Sequence, residues 1–80
     1  MNNKMTHTEE IAYKMGLFQD ADFYHLRAVE DYELADALES KDVTQAEYMR
    51  EEARDFDNRF QSLLDFLMTL GWDKEYMGIA

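Results

Sequence analysis

The chain has 80 residues, enough for one small domain, and its 18 acidic against 8 basic residues give a net charge of −10. This charge has the wrong sign for direct binding to DNA, RNA or anionic membranes, which attract basic surfaces. The sequence contains no cysteine, so disulfides and thiolate metal sites are excluded, and with no proline and only three glycines a fold rich in tight turns is disfavoured. No apolar run is long enough to cross a bilayer. We therefore expect a single acidic, all-α domain over residues 1–80 of a cytoplasmic protein.

A first, short helix is predicted over residues 7–18. Thr6 and Glu9 form an S/T-x-x-E capping box, in which two free backbone amides at the helix start are satisfied reciprocally. Gly16 makes the end of this helix uncertain, because glycine weakens a helix by about 1 kcal/mol relative to alanine. The connection to the next helix is expected to be a kink rather than a loop.

A second helix is predicted over residues 20–40, with Asp20 or Asp22 as its N-cap. Its apolar residues lie on two nearly opposite sides. One of these sides is expected to pack against the third helix, and the other needs a different partner, either the first helix or another chain. We expect a symmetric homodimer through this helix or the N-terminal half of the next one. The residues predicted to form an oligomer interface are Phe23, Leu26 and Leu34.

The third predicted helix covers residues 44–70 and follows a turn at residues 40–43. Thr44 and Glu47 match a second capping box, and Gly71 is placed to end the helix with a left-handed cap. Apolar residues alternate at spacings of three and four along this segment, which places them on one helix face and predicts the core. The predicted core residues are Met49, Ala53, Phe56, Phe60, Leu63, Leu67 and Leu70.

The flank of this core stripe turns apolar toward its C-terminal end, at Leu64 and Phe66. An apolar flank is typical of a helix that contacts two neighbours, so the first helix is expected to dock there. Residues 71–80 are interpreted as a short tail in which Tyr76, Met77 and Ile79 fold back. The predicted fold is a small helical bundle that combines a short first helix with a long antiparallel helical hairpin.

Candidate catalytic and metal-binding groups are few. Asp22 and His25 form a D-x-x-H pair on one helix side, but a di-iron site requires Glu-x-x-His motifs and further inward-facing glutamates. No segment resembles a nucleophile elbow or a phosphate-binding glycine loop. We therefore predict a protein that is not an enzyme and that holds no metal or cofactor.

Acidic residues are concentrated in one segment, because residues 20–42 carry a net charge of −6. Carboxylates one helical turn apart are separated by about 6 Å, close to the step between phosphates along a nucleic-acid strand. An acidic helix face also keeps a protein soluble, and this interpretation stays open. The sharper hypothesis is an acidic face that binds a basic surface on a partner protein. Its predicted residues are Asp20, Asp22, Glu30, Asp31, Glu33, Asp36 and Glu39.

In size, acidity and lack of catalytic groups, the chain resembles small phage or mobile-element proteins that block host nucleases, including anti-restriction and anti-CRISPR inhibitors. This resemblance concerns overall character and carries no individual residue across. It implies a nucleic-acid mimic that occupies the basic surface of a host nuclease or defence protein. Two alternatives are a helical structural or assembly subunit that homo-oligomerises and a small di-iron carboxylate protein.

Overall fold

A computed structural model describes residues 4–78 as an antiparallel helical hairpin followed by one short helix. Helix α1 spans His7–Leu38, α2 spans Val43–Leu70 and α3 spans Asp73–Tyr76. The part of the chain that is described contains no β-strand. It also contains no helix that is both long and apolar enough to span a membrane. The predicted all-α fold and the antiparallel hairpin are confirmed.

The two N-terminal helices predicted over residues 7–18 and 20–40 are in fact one continuous helix of 32 residues, α1. Gly16 does not break it, because one glycine costs only about 1 kcal/mol and packing along the whole of α1 outweighs that cost. Asp20 and Asp22, predicted as alternative N-caps, therefore lie inside a helix. The expectation of a separate first helix was wrong.

The capping box at the start of α1 is confirmed. The Glu9 backbone N–H donates to Thr6 Oγ1 at 3.1 Å, and the Thr6 backbone N–H donates to Glu9 Oε1 at 3.0 Å. The bond from the Thr6 backbone and the contact with its side chain lower the pKa of Glu9, because both favour the carboxylate form. Two of the free amides at this end are thus satisfied locally.

The second predicted capping box, at Thr44 and Glu47, does not form. Instead Asp42 is the N-cap of α2, and its Oδ1 accepts from the Gln45 backbone N–H at 3.1 Å. Aspartate is among the strongest N-cap residues, so Asp42 takes the position and Thr44 becomes part of the helix. The turn between the long helices accordingly occupies residues 39–42.

The predicted left-handed cap at the end of α2 is confirmed. Gly71 has φ of 75°, a conformation that costs other residues steric strain. Its N–H donates to the Met68 carbonyl at 3.0 Å, and the Trp72 N–H donates to the Leu67 carbonyl at 2.9 Å. These two bonds form a Schellman motif, which turns the chain directly into α3.

The contact between α1 and α2 is built on alanine at every seventh position. These alanines are 0–3% exposed, and we refer to them as the alanine seam. A heptad spacing keeps them on the line where two helices cross at a shallow angle, and their small side chains let the backbones approach closely. The members of the seam are Ala21, Ala28 and Ala35 of α1 and Ala46 and Ala53 of α2.

The predicted core stripe of α2 is buried unevenly. Ala53 and Leu67 are buried, but Leu70 is 38% exposed, so its assignment to the core was wrong. One layer of two helices encloses only the residues directly on the contact line, and larger side chains beside that line keep one side in solvent. The half-buried members are Met49, Phe56, Phe60 and Leu63.

Helix α3 packs against one side of the hairpin through Tyr76. Its ring centroid lies 5.3 Å from that of Phe18 and 6.4 Å from that of Phe60. Its hydroxyl donates to Asp22 Oδ1 at 2.8 Å. The expected return of the tail thus holds for Tyr76, whereas Met77 is 59% exposed. The prediction for Ile79 lies outside the described residues.

No separate first helix docks beside Leu64 and Phe66, although the sequence predicted one there. The segment 7–18 continues along α2 as part of α1, and Trp72 lies against its Tyr13, with ring centroids 6.1 Å apart. Phe66 therefore remains 42% exposed. The apolar flank was recognised correctly in the sequence, but the element expected to cover it was wrong.

Candidate protein-binding surfaces

The outer side of α1 carries a group of exposed acidic residues. At about 100° per residue, four of the predicted binding residues fall within an arc of about 120° on this helix, and they extend over about 21 Å of its length. We call this group the acidic arc. Its members are Asp22, Glu30, Glu33 and Asp36, all exposed. Two further predicted residues, Asp20 and Glu39, are exposed but lie at other angles around the helix.

Members of the arc differ in their intramolecular partners. Asp22 is held by the Tyr76 hydroxyl. Arg50 Nη2 lies 3.8 Å from Asp36 Oδ1 and 2.9 Å from Glu39 Oε2. No hydrogen bond or ion pair within residues 4–78 engages Glu30 or Glu33. The middle of the arc is therefore the part whose carboxylates are available to a partner.

Asp31 does not belong to this surface, although the sequence placed it there. It is 6% exposed, because it lies three residues after Ala28 and four before Ala35 and so shares their side of α1. Its Oδ2 has no hydrogen-bond partner, and neither does the buried Nε of Arg27, one turn earlier. A buried donor and a buried acceptor thus remain unsatisfied within one helical turn.

The predicted oligomer residues Phe23, Leu26 and Leu34 are 54%, 58% and 47% exposed. They do not share one direction. Leu26 lies within the angular range of the acidic arc, whereas Phe23 contacts Phe56, with ring centroids 6.1 Å apart. Leu34 lies on the same side of α1 as Phe23. The interface role of all three stays a prediction, and Phe23 among them contacts an aromatic residue of α2.

A second candidate surface is formed where both helices present apolar residues away from α3. Tyr24 is two residues after Asp22 and so points about 200° away from the residue that binds Tyr76. Its ring centroid lies 6.4 Å from that of Phe56, and no element of the described chain packs over this side. We call this surface the open flank. It comprises Phe23, Tyr24, Phe56, Leu63 and Phe66.

The open flank contains a shallow groove of about 440 Å³. Tyr24, Leu63 and Phe66 provide its apolar lining, and Asn58, Arg59 and Ser62 complete it. Two arginines stack on Phe56 beside it, with the guanidinium carbons of Arg27 and Arg59 at 5.4 and 5.7 Å from the ring centroid. Sequence reasoning missed this groove as a surface, although the apolar residue at position 66 was the signal.

The opposite side, which we call the covered flank, comprises Phe18, Asp22, His25 and Phe60. The Phe60 ring lies 5.0 Å from the His25 ring and also contacts Tyr76 of α3. Burial and the hydrogen bond to the Asp22 carboxylate raise the pKa of Tyr76 to about 12, since both disfavour the phenolate. The Asp22–His25 pair considered for metal binding is thus occupied by aromatic contacts and a tyrosine hydroxyl.

Among residues 4–78, no three histidine or acidic side chains are placed to hold a metal ion. Comparison with known proteins supplies no further assignment, because no protein-family model, curated protein or solved structure matches the chain. The candidate sites therefore rest on the geometry of the acidic arc and the open flank.

Proposed function

We propose that the protein is a non-enzymatic inhibitor that uses the acidic arc to occupy a basic, nucleic-acid-binding surface of a partner such as a host nuclease or defence protein. The observation that carries this proposal is the pair Glu30 and Glu33, which are exposed and lack intramolecular partners at the centre of the arc. They lie in a segment, residues 20–42, with a net charge of −6.

The spacing of the arc supports mimicry of a nucleic-acid backbone. Side chains three or four residues apart on a helix lie about 5–6 Å apart, so successive carboxylates repeat at a step comparable with that of phosphates on one strand. The whole chain has a charge of −10. A negative field of this size accelerates encounter with a basic surface and orients the protein toward it.

The hairpin supports the arc as a rigid platform. The Tyr76 hydroxyl donates to Asp22 at one end, and Arg50 lies 3.8 Å from Asp36 near the other end. Since α1 packs along α2 through the alanine seam, the backbone is ordered before a partner arrives. A pre-organised surface loses less conformational entropy on binding, so more of the electrostatic attraction appears as affinity.

The test starts with the tagged protein as bait in lysate of its native host at low ionic strength. Captured proteins are then purified and assayed for nucleic-acid binding, with salt titration and competition by DNA and RNA. We expect the complex to dissociate steeply with salt, and we expect nucleic acid to compete with the protein for one surface. Simultaneous binding of nucleic acid and the protein without interference would contradict the proposal.

A matched pair of variants distinguishes the contribution of the acidic arc to partner binding from the contribution of the net charge of the protein. The double variant Glu30→Lys/Glu33→Lys changes the charge by four units at the centre of the arc, without disturbing the contacts of Asp22 or Asp36. We expect it to weaken partner binding by about tenfold or more. The control, Glu47→Lys/Glu51→Lys, changes the charge equally at exposed positions of α2. Equal losses in the two variants would show that only net charge matters.

The second candidate, a structural or assembly subunit, is favoured by a different observation. Exposed apolar residues extend beyond the open flank, with Leu34 at 47% and Val43 at 58% exposure, and large exposed apolar patches typically mark association sites. An assembly subunit is expected to form large homo-oligomers, which light scattering detects. A charge reversal in the arc leaves their size unchanged, since apolar contacts define that assembly.

A further inference from the structure

The described hairpin exposes more surface than a compact protein of its size. Its accessible area is 6103 Å² for a 9.5 kDa chain. Folded monomers of this mass expose about 5,050 Å², so the excess is about 1,000 Å². A stable protein–protein interface buries about 800 Å² on each partner. One further interface of ordinary size would therefore remove the excess.

The shape explains where this extra area comes from. The radius of gyration is 16.7 Å and the extents are 58 × 28 × 18 Å, whereas a compact 80-residue domain has a radius of gyration of about 12 Å. Domains normally bury their apolar faces between at least two layers of secondary structure. This hairpin is one layer, and α3 adds cover on the covered flank only.

From these observations we infer that two copies of the chain associate through the open flank into a closed, two-fold symmetric dimer. The joined hairpins then form a four-helix arrangement whose second layer is the partner copy. This inference does not rest on the proposed function. Asp22, Glu33 and Asp36 of the acidic arc face away from the open flank, whereas Glu30, seven residues after Phe23, lies at the edge of the flank.

Charge favours the open flank over the outer side of α1 as the place where copies meet. Two chains of −10 repel each other unless the surfaces in contact are poor in acids. On α2 the flank presents Phe56, Leu63 and Phe66, and the neighbouring Asp55 is paired with Arg59 at 3.2 Å. The carboxylates on the flank itself, Asp20 of α1 and Glu52 of α2, are fewer than those of the acidic arc. The stacked guanidinium groups of Arg27 and Arg59 add positive charge in an otherwise acidic molecule.

The unsatisfied pair at Arg27 and Asp31 favours the same location. Buried polar atoms without partners are uncommon, and Arg27 Nε and Asp31 Oδ2 are two such atoms one helical turn apart. The Arg27 guanidinium lies over Phe56 of the open flank, 5.4 Å from the ring centroid. In a two-fold interface every contact occurs twice, so the donor of one copy pairs with the acceptor of the other after a change of rotamer.

The experiment is sedimentation equilibrium of the full chain from about 1 to 100 µM, a range that brackets ordinary dimer affinities. We expect a species of twice the 9.5 kDa chain mass that is half-dissociated within this range or stays dimeric throughout. A monomer over the whole range overturns the inference, and larger oligomers overturn the closed two-fold arrangement.

Two glutamate variants identify the surface. Phe66→Glu places a carboxylate in the open flank of each copy, and we expect the dissociation constant to rise about a hundredfold or more. Leu26→Glu, at a residue 58% exposed on the outer side of α1, is expected to leave it unchanged. The opposite result assigns the interface to the outer side and overturns the inference. Circular dichroism checks folding, and Ser62→Glu in the groove replaces Phe66→Glu if the latter unfolds.

Discussion

The two flanks of the hairpin are made from similar residues but differ in what lies over them. On the covered flank, Phe18 and Phe60 pack against Tyr76, whose hydroxyl is anchored by Asp22. On the open flank, Phe23 and Phe66 are 54% and 42% exposed. Aromatic content alone therefore does not distinguish core from interface. The difference depends on a four-residue helix that packs on one side of the layer.

The sharpest test of this comparison truncates one phenylalanine of α2 on each flank. Phe60→Ala removes a ring in contact with His25 and Tyr76, and we expect the free energy of unfolding to fall by about 3 kcal/mol, at the lower end for buried phenylalanine. Phe66→Ala removes a ring that is 42% exposed, and the expected loss in dilute solution is below about 1 kcal/mol.

Chemical denaturation over a series of protein concentrations measures both variants. If copies associate through the open flank, the cost of Phe66→Ala increases with concentration, because association stabilises only the parent, while the cost of Phe60→Ala stays nearly constant. Equal costs for the two variants in dilute solution would show that the flanks do not differ in cover.

The sequence predicted the parts of the fold that depend on local signals. The helix of α2 and its end at Gly71 were predicted correctly, because an apolar period of three and four residues and a left-handed glycine cap are both recognisable in the sequence. The break near Gly16 was wrong, since a helix breaker acts locally while packing along α2 acts over the full length of α1. The start at Thr44 was wrong because Asp42 competes for the same cap.

The candidate binding surfaces were harder to predict from the sequence than the helices. Asp31 carries a charge and was assigned to the acidic face, but its angular position beside Ala28 and Ala35 buries it. The contact between Tyr76 and Asp22 joins residues 54 positions apart, and a short tail offers no periodicity that would place it. Which apolar flank α3 covers depends on that contact, so the open flank became visible only in three dimensions.

A second prediction concerns the polar anchor of the covered flank. Tyr76→Phe removes the hydrogen bond to Asp22 and keeps the ring, and we expect a loss of about 1 kcal/mol near neutral pH. The matched control is Tyr48→Phe, at a residue 61% exposed and outside the aromatic contacts of the flank, which is expected to have little effect.

The Tyr76→Phe variant should also change how the stability of the protein depends on pH. The pKa of Tyr76 is raised to about 12 in the folded protein, against about 10 for a free tyrosine. Folding therefore favours the protonated hydroxyl, and the resulting stabilisation is complete below pH about 10 and is lost as the pH rises toward 12. Denaturation midpoints across this range should fall more steeply in the parent than in Tyr76→Phe. If the midpoints of parent and variant fell equally with pH, Tyr76 would not donate a stabilising hydrogen bond to Asp22.

The smallest expected effect tests whether the open flank continues along α1 as one surface. Gly16 lies seven residues before Phe23, so it points to the same side only if the helix is unbroken between them. A β-carbon built at Gly16 meets no atom within 4 Å. Gly16→Ala should therefore stabilise the protein by about 0.4–1 kcal/mol, because alanine loses less backbone entropy in a helix.

Gly71→Ala is the control for this substitution, since its surroundings are equally open but its φ of 75° disfavours a side chain. We expect Gly71→Ala to destabilise the protein by about 1 kcal/mol, opposite in sign to Gly16→Ala. Thermal melts of the two variants beside the parent make the comparison. If Gly16→Ala also lowers the melting temperature, position 16 is a kink rather than helix interior, and the segment before it does not extend the open flank.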